Sequence, residues 1–331
     1  MAAISTAPPR LPSRAQVALL KLRLTMLGTF AAVVAIATLL IEAVLLTLGL
    51  PALSVYLILP LVVVINLLQW LFGPYIINAV YRVRPLAQDE EPWLHEAVQR
   101  YSRACGLSRT PKLMLAQIDI PNAFAYGSPL SGPMVAVTSG ILRGMPAEEL
   151  EAVIGHELGH LKHRDVAFML MVSLIPAVIY YLGYMLYMSA WFRAGYGRQG
   201  SPLLVAAVGM GLMVISFFFN LFVFFLSRLR ETYADANAAM VVPDGARKLQ
   251  RALARILLLS GRIKKDQALQ HSQLKLFFIS DPAQGVRGYE DVDELVERLK
   301  ASKESLLVEL FSTHPSPGRR LRYLDAFIPP A

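Results

Sequence analysis

The sequence predicts an α+β fold that is mainly helical: an integral membrane protein with four transmembrane helices and a polar domain assembled from two separate segments. Three observations predict it. The composition is 55% hydrophobic and only 17% charged, where a soluble domain carries about 25% charged residues. The apolar surplus is gathered into four runs, each long enough to cross a hydrocarbon core, which takes about 20 residues. The polar remainder mixes helical periodicity with short β-type stretches punctuated by Pro and Gly.

The elements follow in chain order. Residues 1–23 form an N-terminal segment, its first dozen residues expected to be loose. The run Leu24–Leu48 is too long for a cleavable leader and reads as a retained anchor. With Leu53–Tyr75 it forms a membrane hairpin over 24–80. Glu42 lies inside the first run, nearer its outer end, and reads either as a functional intramembrane acid or, in preference, as one that is protonated or reaching for headgroups. Segment 81–165 opens with a helix from Glu90 to Cys105, closed by Gly106. Short strands follow in PKLML, PNAFAYG and MVAVTSG. A second helix then begins at Pro146, a favoured first-turn position. Glu148 and Glu149 in its first turn, with Lys162 and Arg164 near its far end, suit the helix dipole. The change of character at Asp165–Val166 marks where this helix meets the membrane. Val166–Met188 and Leu203–Leu226 form a second hairpin over 166–227, in which Asn220 is expected to bond a neighbouring helix. Segment 228–331 reads as mostly helical, with helices over Ala246–Ser260 and Asp291–Phe311.

Net charge is +8. Arg10, Arg14, Lys21 and Arg23 precede the first span, Arg82 and Arg84 follow the second, Lys162 and Arg164 precede the third, and Arg228 and Arg230 follow the fourth. Arg193 and Arg198 sit in the remaining loop. This asymmetry places both termini and both polar segments in the cytoplasm of a multi-pass protein of the cell (inner) membrane. No basic patch is interleaved with aromatics, so no nucleic-acid partner is expected. Cys105 is the only cysteine, so an intramolecular disulfide is excluded, and it reads as a small buried residue.

His156-Glu157-Leu158-Gly159-His160 is an H-E-x-x-H motif in a helical setting. Residues four apart share a helix face, so both imidazoles can reach one Zn²⁺ at about 2.0–2.1 Å. Glu157, one step round, is placed to act on a water at that metal. His163 shares the face, but seven residues rise about 10.5 Å, too far for His156 and His163 to share one ion. It is assigned to the membrane-interface region. A catalytic zinc needs a third protein ligand. Glu231, in SRLRETYADANAA, is the best candidate. If spans three and four form an antiparallel hairpin, His160 and Glu231 each lie roughly 9 Å of helix beyond the spans and emerge side by side. Asp235, at i+4, could orient a ligating histidine through its other ring nitrogen.

GHELGHLKHRD, RETYADA, NAFAYG and STHPSPGRR, together with four spans, resemble the HtpX-type membrane zinc metalloproteases, relatives of the CAAX prenyl endoprotease in the gluzincin group. The resemblance implies a zincin-like catalytic domain with one Zn²⁺ per subunit held by His156, His160 and Glu231, with Glu157 as the catalytic glutamate and Asp235 behind a ligand. It implies that Asn122, Ala123, Phe124 and Ala125 lie on a strand bordering the cleft, where an extended substrate pairs with the main chain. It implies that His314, before Pro315, helps to stabilise the tetrahedral intermediate. Arg320 matches a recurrent basic position with no assigned role, and the SPG after His314 departs from the family pattern. The implied activity is zinc-dependent endoproteolysis at the cytoplasmic membrane face, in stress-related quality control, with membrane or unfolded proteins as substrates and the bilayer as surroundings. A CAAX-type prenyl-peptide protease would carry more spans. A non-catalytic assembly factor would not need Glu157 with both histidines. A metal transporter would place its ligands inside the spans.

Overall fold

The computed structural model describes residues 13–48, 53–195, 201–261, 291–303, 305 and 309–329. Arg10, Arg198 and the side chains of Arg14, Glu42 and Arg193 lie outside what it describes.

In chain order the helices and strands are α1 (Ser13–Leu48), α2 (Leu53–Val80), β1 (Val83–Pro85), α3 (Pro92–Cys105), β2 (Lys112–Ala116), β3 (Ala123–Ser128), β4 (Gly132–Thr138), α4 (Ser139–Gly144), α5 (Ala147–Lys162), α6 (Asp165–Gly195), α7 (Pro202–Val241), α8 (Gly245–Gly261), α9 (Val292–Ala301) and α10 (Pro317–Leu324). Four of these, α1, α2, α6 and α7, are long and apolar enough to cross a membrane. The predicted class, mainly helical α+β with four such helices, is the observed one.

The membrane helices pack through small residues. A Cβ on Gly183 of α6 would meet the Gly209 carbonyl oxygen of α7 at 2.7 Å, and one on Gly209 would meet the Gly183 oxygen at 2.6 Å. Small residues permit this approach where apolar side chains alone give no driving force in lipid. The pairing of 183 with 209, and of 165 with 230 further along, makes α6 and α7 an antiparallel hairpin. Val33 and Ala37 of α1 close on Ile179, Leu182 and Leu212. Asn220 differs from expectation: its amide donates to Ser216 O within α7, at 3.0 Å.

The four strands form one sheet in the order β1-β2-β4-β3, with β2 and β4 parallel and the outer pairs antiparallel. Alternation fills both faces. Leu113, Ala123, Val135 and Val137 enter the main core with α3, α5 and α8. Met114, Phe124, Tyr126, Met134 and Ala136 face the end of α2 at Ile77 and Tyr81. Tyr126 Oη donates to Asn78 at 2.7 Å and Ser128 Oγ to Leu71 O at 3.1 Å, so the β3 edge strand is tied to the second membrane helix.

Three boundaries depart from expectation. α1 begins at Ser13, and Ala15 is buried in the main core, so residues 13–23 are a structural part of the anchor helix. The helix expected over 291–311 ends at Ala301, where Ser302 turns its N–H back to Leu299 O. The motif helix does not run on into the third span: α5 ends at Lys162, Arg164 takes a left-handed φ of 52°, and α6 restarts at Asp165. A non-glycine residue there costs about 1–2 kcal/mol, and Asp165 shows what holds it in place.

Candidate metal centre

α5 and α7 carry the histidines and Glu231, and glycine lets them meet. A Cβ on Gly159 would stand 3.0 Å from Ala234 Cα and 3.0 Å from Asn237 Cβ, and one on Gly155 would stand 3.2 Å from Ala238 Cα. Gly155 and Gly159 thus lie against Ala234 and Ala238, two small-residue pairs at i, i+4 on facing helices. His156 and His160 each follow one of these glycines, so they project from the line of closest approach. Asn237 bridges the crossing, donating to Gly155 O at 2.8 Å and to Cys105 Sγ at 3.2 Å. Cys105 is buried, and burial pushes its thiol pKa up; it is part of this packing.

At the crossing, His156 Nε2 and His160 Nε2 stand 3.2 Å apart, His160 Nε2 is 3.5 Å from Glu231 Oε1, and His156 Nε2 is 3.6 Å from Glu231 Oε2. Two donors about 2.0–2.1 Å from one zinc at the tetrahedral angle stand about 3.3–3.4 Å apart. The separations are close to that edge length, with the two imidazoles approaching different oxygens of Glu231, so two histidines and one carboxylate converge on the scale of a zinc site. The opposite ring nitrogens say the same. His156 Nδ1 lies 2.9 Å from Asp235 Oδ1 and His160 Nδ1 lies 2.6 Å from Asp165 Oδ2. Each carboxylate accepts an Nδ1–H, which assigns the tautomer and turns both Nε2 lone pairs towards each other. That arrangement is relieved by a positive charge between them, either a proton on His156 or a metal ion that displaces it. Glu231 Oε2 is buried without a hydrogen bond, as a vacant ligand oxygen would be.

Around this triad, Arg320 grips Asp235 with two bonds, Nε to Oδ2 at 2.8 Å and Nη2 to Oδ1 at 2.6 Å. Arg230 Nε lies 3.0 Å from Asp165 Oδ2. Each histidine thus has its own carboxylate, and each carboxylate its own guanidinium. Burial opposes a charge on His156, but the Asp235 and Glu231 carboxylates outweigh it and hold its pKa at about 9. A metal binding there displaces a proton.

Glu157 is 3% exposed, and burial raises its pKa. Its Oε2 accepts the Ala125 N–H at 2.7 Å. Asn122 O accepts from Thr138 N on the β4 side, and with the antiparallel register the main-chain groups of Ala123, Ala125 and Gly127 face the free edge. Ala123, Phe124 and Ala125 therefore lie on an edge strand beside Glu157. Asn122 precedes the strand, its N–H bonded to Thr138 Oγ1 at 2.9 Å. His314 Nδ1 is 3.3 Å from Glu231 Oε2. Arg228 secures that segment, donating to Ser312 O at 2.6 Å. His163 is exposed, outside the triad, and packs on Tyr233 with ring centroids 5.2 Å apart.

The structure thus brings His156, Glu157, His160, Glu231, Asp235, Ala125 and His314 to one place. Sequence reasoning missed Asp165, which it read as a boundary, and Arg228 and Arg230, which it read as topology signals. It also passed over the Gly155/Gly159 and Ala234/Ala238 spacing, which was visible in GHELG and ADANA.

Comparison with known proteins agrees. The family model of Peptidase family M48 matches residues 88–328. A "Protease HtpX homolog" of Aeropyrum pernix is 45% identical over 264 residues, covering 78% of this chain and 82% of that protein. One from Thermoplasma acidophilum is 40% identical over 275 residues, 81% of this chain and 84% of that one. One from Thermoplasma volcanium is 39% identical over 310 residues, 93% and 95% of the two chains. In fold, the chain is similar to the crystal structure of S. mikatae Ste24p, with a TM-score of 0.50 at 18% identity, over 95% of this chain and 67% of that one. The chain belongs to peptidase family M48, as a membrane metalloprotease of the HtpX type.

Proposed function

We propose that the chain is a zinc-dependent endopeptidase that cleaves peptide bonds at the cytoplasmic face of the cell membrane, in the quality control of damaged or unfolded membrane proteins. The observation that carries the catalytic part is the convergence of His156, His160 and Glu231, with ligand atoms within 4.8 Å of one another, and the buried Glu157 beside them. His156, His160 and Glu231 are the residues that would hold the ion, and Asp235 orients His156. Bound zinc would supply a Lewis acid for the scissile carbonyl and a lowered pKa for the attacking water.

Glu157 takes the proton of that water and returns it to the leaving amine. Burial raises its pKa. On the outer edge of β3 the Ala125 N–H is held by Glu157, the remaining main-chain groups of Ala123 and Ala125 would pair with an extended substrate, and Asn122 anchors the start of that strand on Thr138. His314, beside Glu231, would donate to an oxygen that becomes anionic in the transition state. Glu231 and Asp235 stand on α7, which continues from the fourth apolar run, and this suits substrates emerging from the membrane.

Purified full-length protein in detergent, assayed on casein with and without a chelator, tests the reading. Glu157→Gln is expected to keep zinc by elemental analysis and to lose about 10²–10⁴-fold in cleavage rate. Glu231→Ala is expected to lose zinc. Undiminished cleavage by zinc-loaded Glu157→Gln, or full zinc content in Glu231→Ala, would overturn these assignments. Fragments of membrane proteins that accumulate in cells only with intact Glu157 test the quality-control role; their absence removes it.

A further inference from the structure

We propose that Asp165, ion-paired with Arg230, is the positioning residue for His160, so that metal binding depends on how α6 and α7 meet at the site end of the membrane hairpin. The proposal rests on the reading of His160 as a ligand.

Asp165 Oδ2 lies 2.6 Å from His160 Nδ1, and the carboxylate is buried. Sequence spacing alone forbids this contact in an unbroken helix. Five residues turn by about 140° beyond a full revolution, which would carry Asp165 to the far side from His160. The break makes it possible. Arg164 N closes on Leu161 O at 3.2 Å, Arg164 turns left-handed at φ 52°, and the chain restarts with Asp165 swung back over the preceding turn. A conformation that L residues avoid is thereby kept at the one place where it returns a carboxylate to a ligand.

Arg230 completes the arrangement from α7, 3.0 Å from the same oxygen. Arg230 precedes Glu231, so consecutive residues of one helix serve the same centre. One offers a carboxylate to the ion, and the other holds the group that orients a histidine. The His160–Asp165–Arg230 chain parallels the His156–Asp235–Arg320 chain in residue types but not in source, with one ion pair from Arg230 where Arg320 makes two hydrogen bonds. Asp235 and Arg320 lie past the apolar runs, on the last turns of α7 and on α10. Asp165 is the first residue of α6, and Arg230 follows the apolar run of α7. Asp165 thereby ties a ligand directly to the third membrane helix, and any shift of α6 against α5 reaches His160 Nδ1 first.

The test uses full-length protein in detergent and zinc alone as the probe, its affinity measured by competition with a chromophoric chelator. Asp165→Asn is expected to weaken zinc binding about 10–100-fold, the usual effect of losing such a partner. It is also expected to change the visible spectrum of the cobalt-substituted protein, which a general loss of stability would not. Arg230→Gln is expected to weaken zinc on its own and to add little in the Asp165→Asn background, because it acts through the same carboxylate. The double variant leaves no lone buried charge, so it gives the reading if Asp165→Asn does not fold. Wild-type zinc affinity in the folded Asp165→Asn protein or in the double variant overturns the proposal, and full additivity overturns the role of Arg230. His156→Ala and Glu231→Ala separate the two readings. If both still bind zinc as wild type does, the metal site itself is misassigned. If both lose zinc while the Asp165 variants keep it, the positioning role alone fails.

Discussion

Glu157 accepts the Ala125 N–H from a strand whose other edge is already paired with β4. That N–H can be deleted without touching a ligand. Proline is tolerated on edge strands because it removes a donor the ladder does not use. Ala125→Pro is therefore expected to leave the sheet and zinc content intact, while casein cleavage falls at least tenfold in kcat. Normal kcat would show that Glu157 does not depend on this bond. Arg320 sets a second expectation. It is 3% exposed and forks onto Asp235, which lies against His156. Arg320→Ala leaves a buried carboxylate without its cation, a change that typically costs about 3–5 kcal/mol, and is expected to lower both the thermal midpoint and zinc affinity. Arg320→Lys, a point charge in place of a fork, is expected to fall between. An Arg320→Ala protein that melts like the wild type would contradict this. The role of Arg320 could not be read from sequence because its partner lies 85 residues away.

At the scale of elements, the site exists because α5 and α7 approach through Gly155, Gly159, Ala234 and Ala238. Gly159→Val is expected to push the helices apart, costing about 1–3 kcal/mol by overpacking and weakening zinc binding although every ligand remains. Gly211→Ala, on the same α7 with open space around its Cβ position, is the control and is expected to be neutral or slightly stabilising. Zinc titration and thermal unfolding of both variants check the contrast; unchanged zinc affinity in Gly159→Val would remove the crossing as the determinant. The helices, the strands in PKLML and NAFAYG, and the left-handed cap at Gly106 were legible because periodicity, punctuation and capping are local signals. The α5–α6 break was not. KHRD contains neither proline nor glycine, and the partners of the Asp165 side chain that follows the turn include Arg230, distant in sequence. β1 was missed for a related reason: three residues make no pattern until β2 pairs with them.

Across the whole molecule, the membrane hairpin and the site are one continuous object. α7 carries the fourth apolar run and then Glu231 and Asp235 without interruption, and α1 passes from the bundle at Val33 and Ala37 to Ala15 in the main core. The start of α1 and the site therefore lie on the same side of the bundle, whatever the charges say. The charges choose which side faces the cytoplasm, but not all of them are topology signals. Arg228 and Arg230 are engaged by Ser312 O and Asp165, and Arg84 is paired with Glu90, so site chemistry or local pairing accounts for their positions. Lys21, Arg23, Arg82 and Lys162 remain exposed on that side and still favour a cytoplasmic location. The buried Cys105, which accepts a hydrogen bond from Asn237, gives a silent background for testing this. In intact cells, a cysteine at Ser201, exposed at the opposite end of the hairpin, is expected to react with a membrane-impermeant maleimide. One at Glu297, whose side chain is 74% exposed on α9, is expected to react only after permeabilisation. The reverse pattern would place the metal centre outside the cytoplasm and, with it, the peptide bonds this chain can reach.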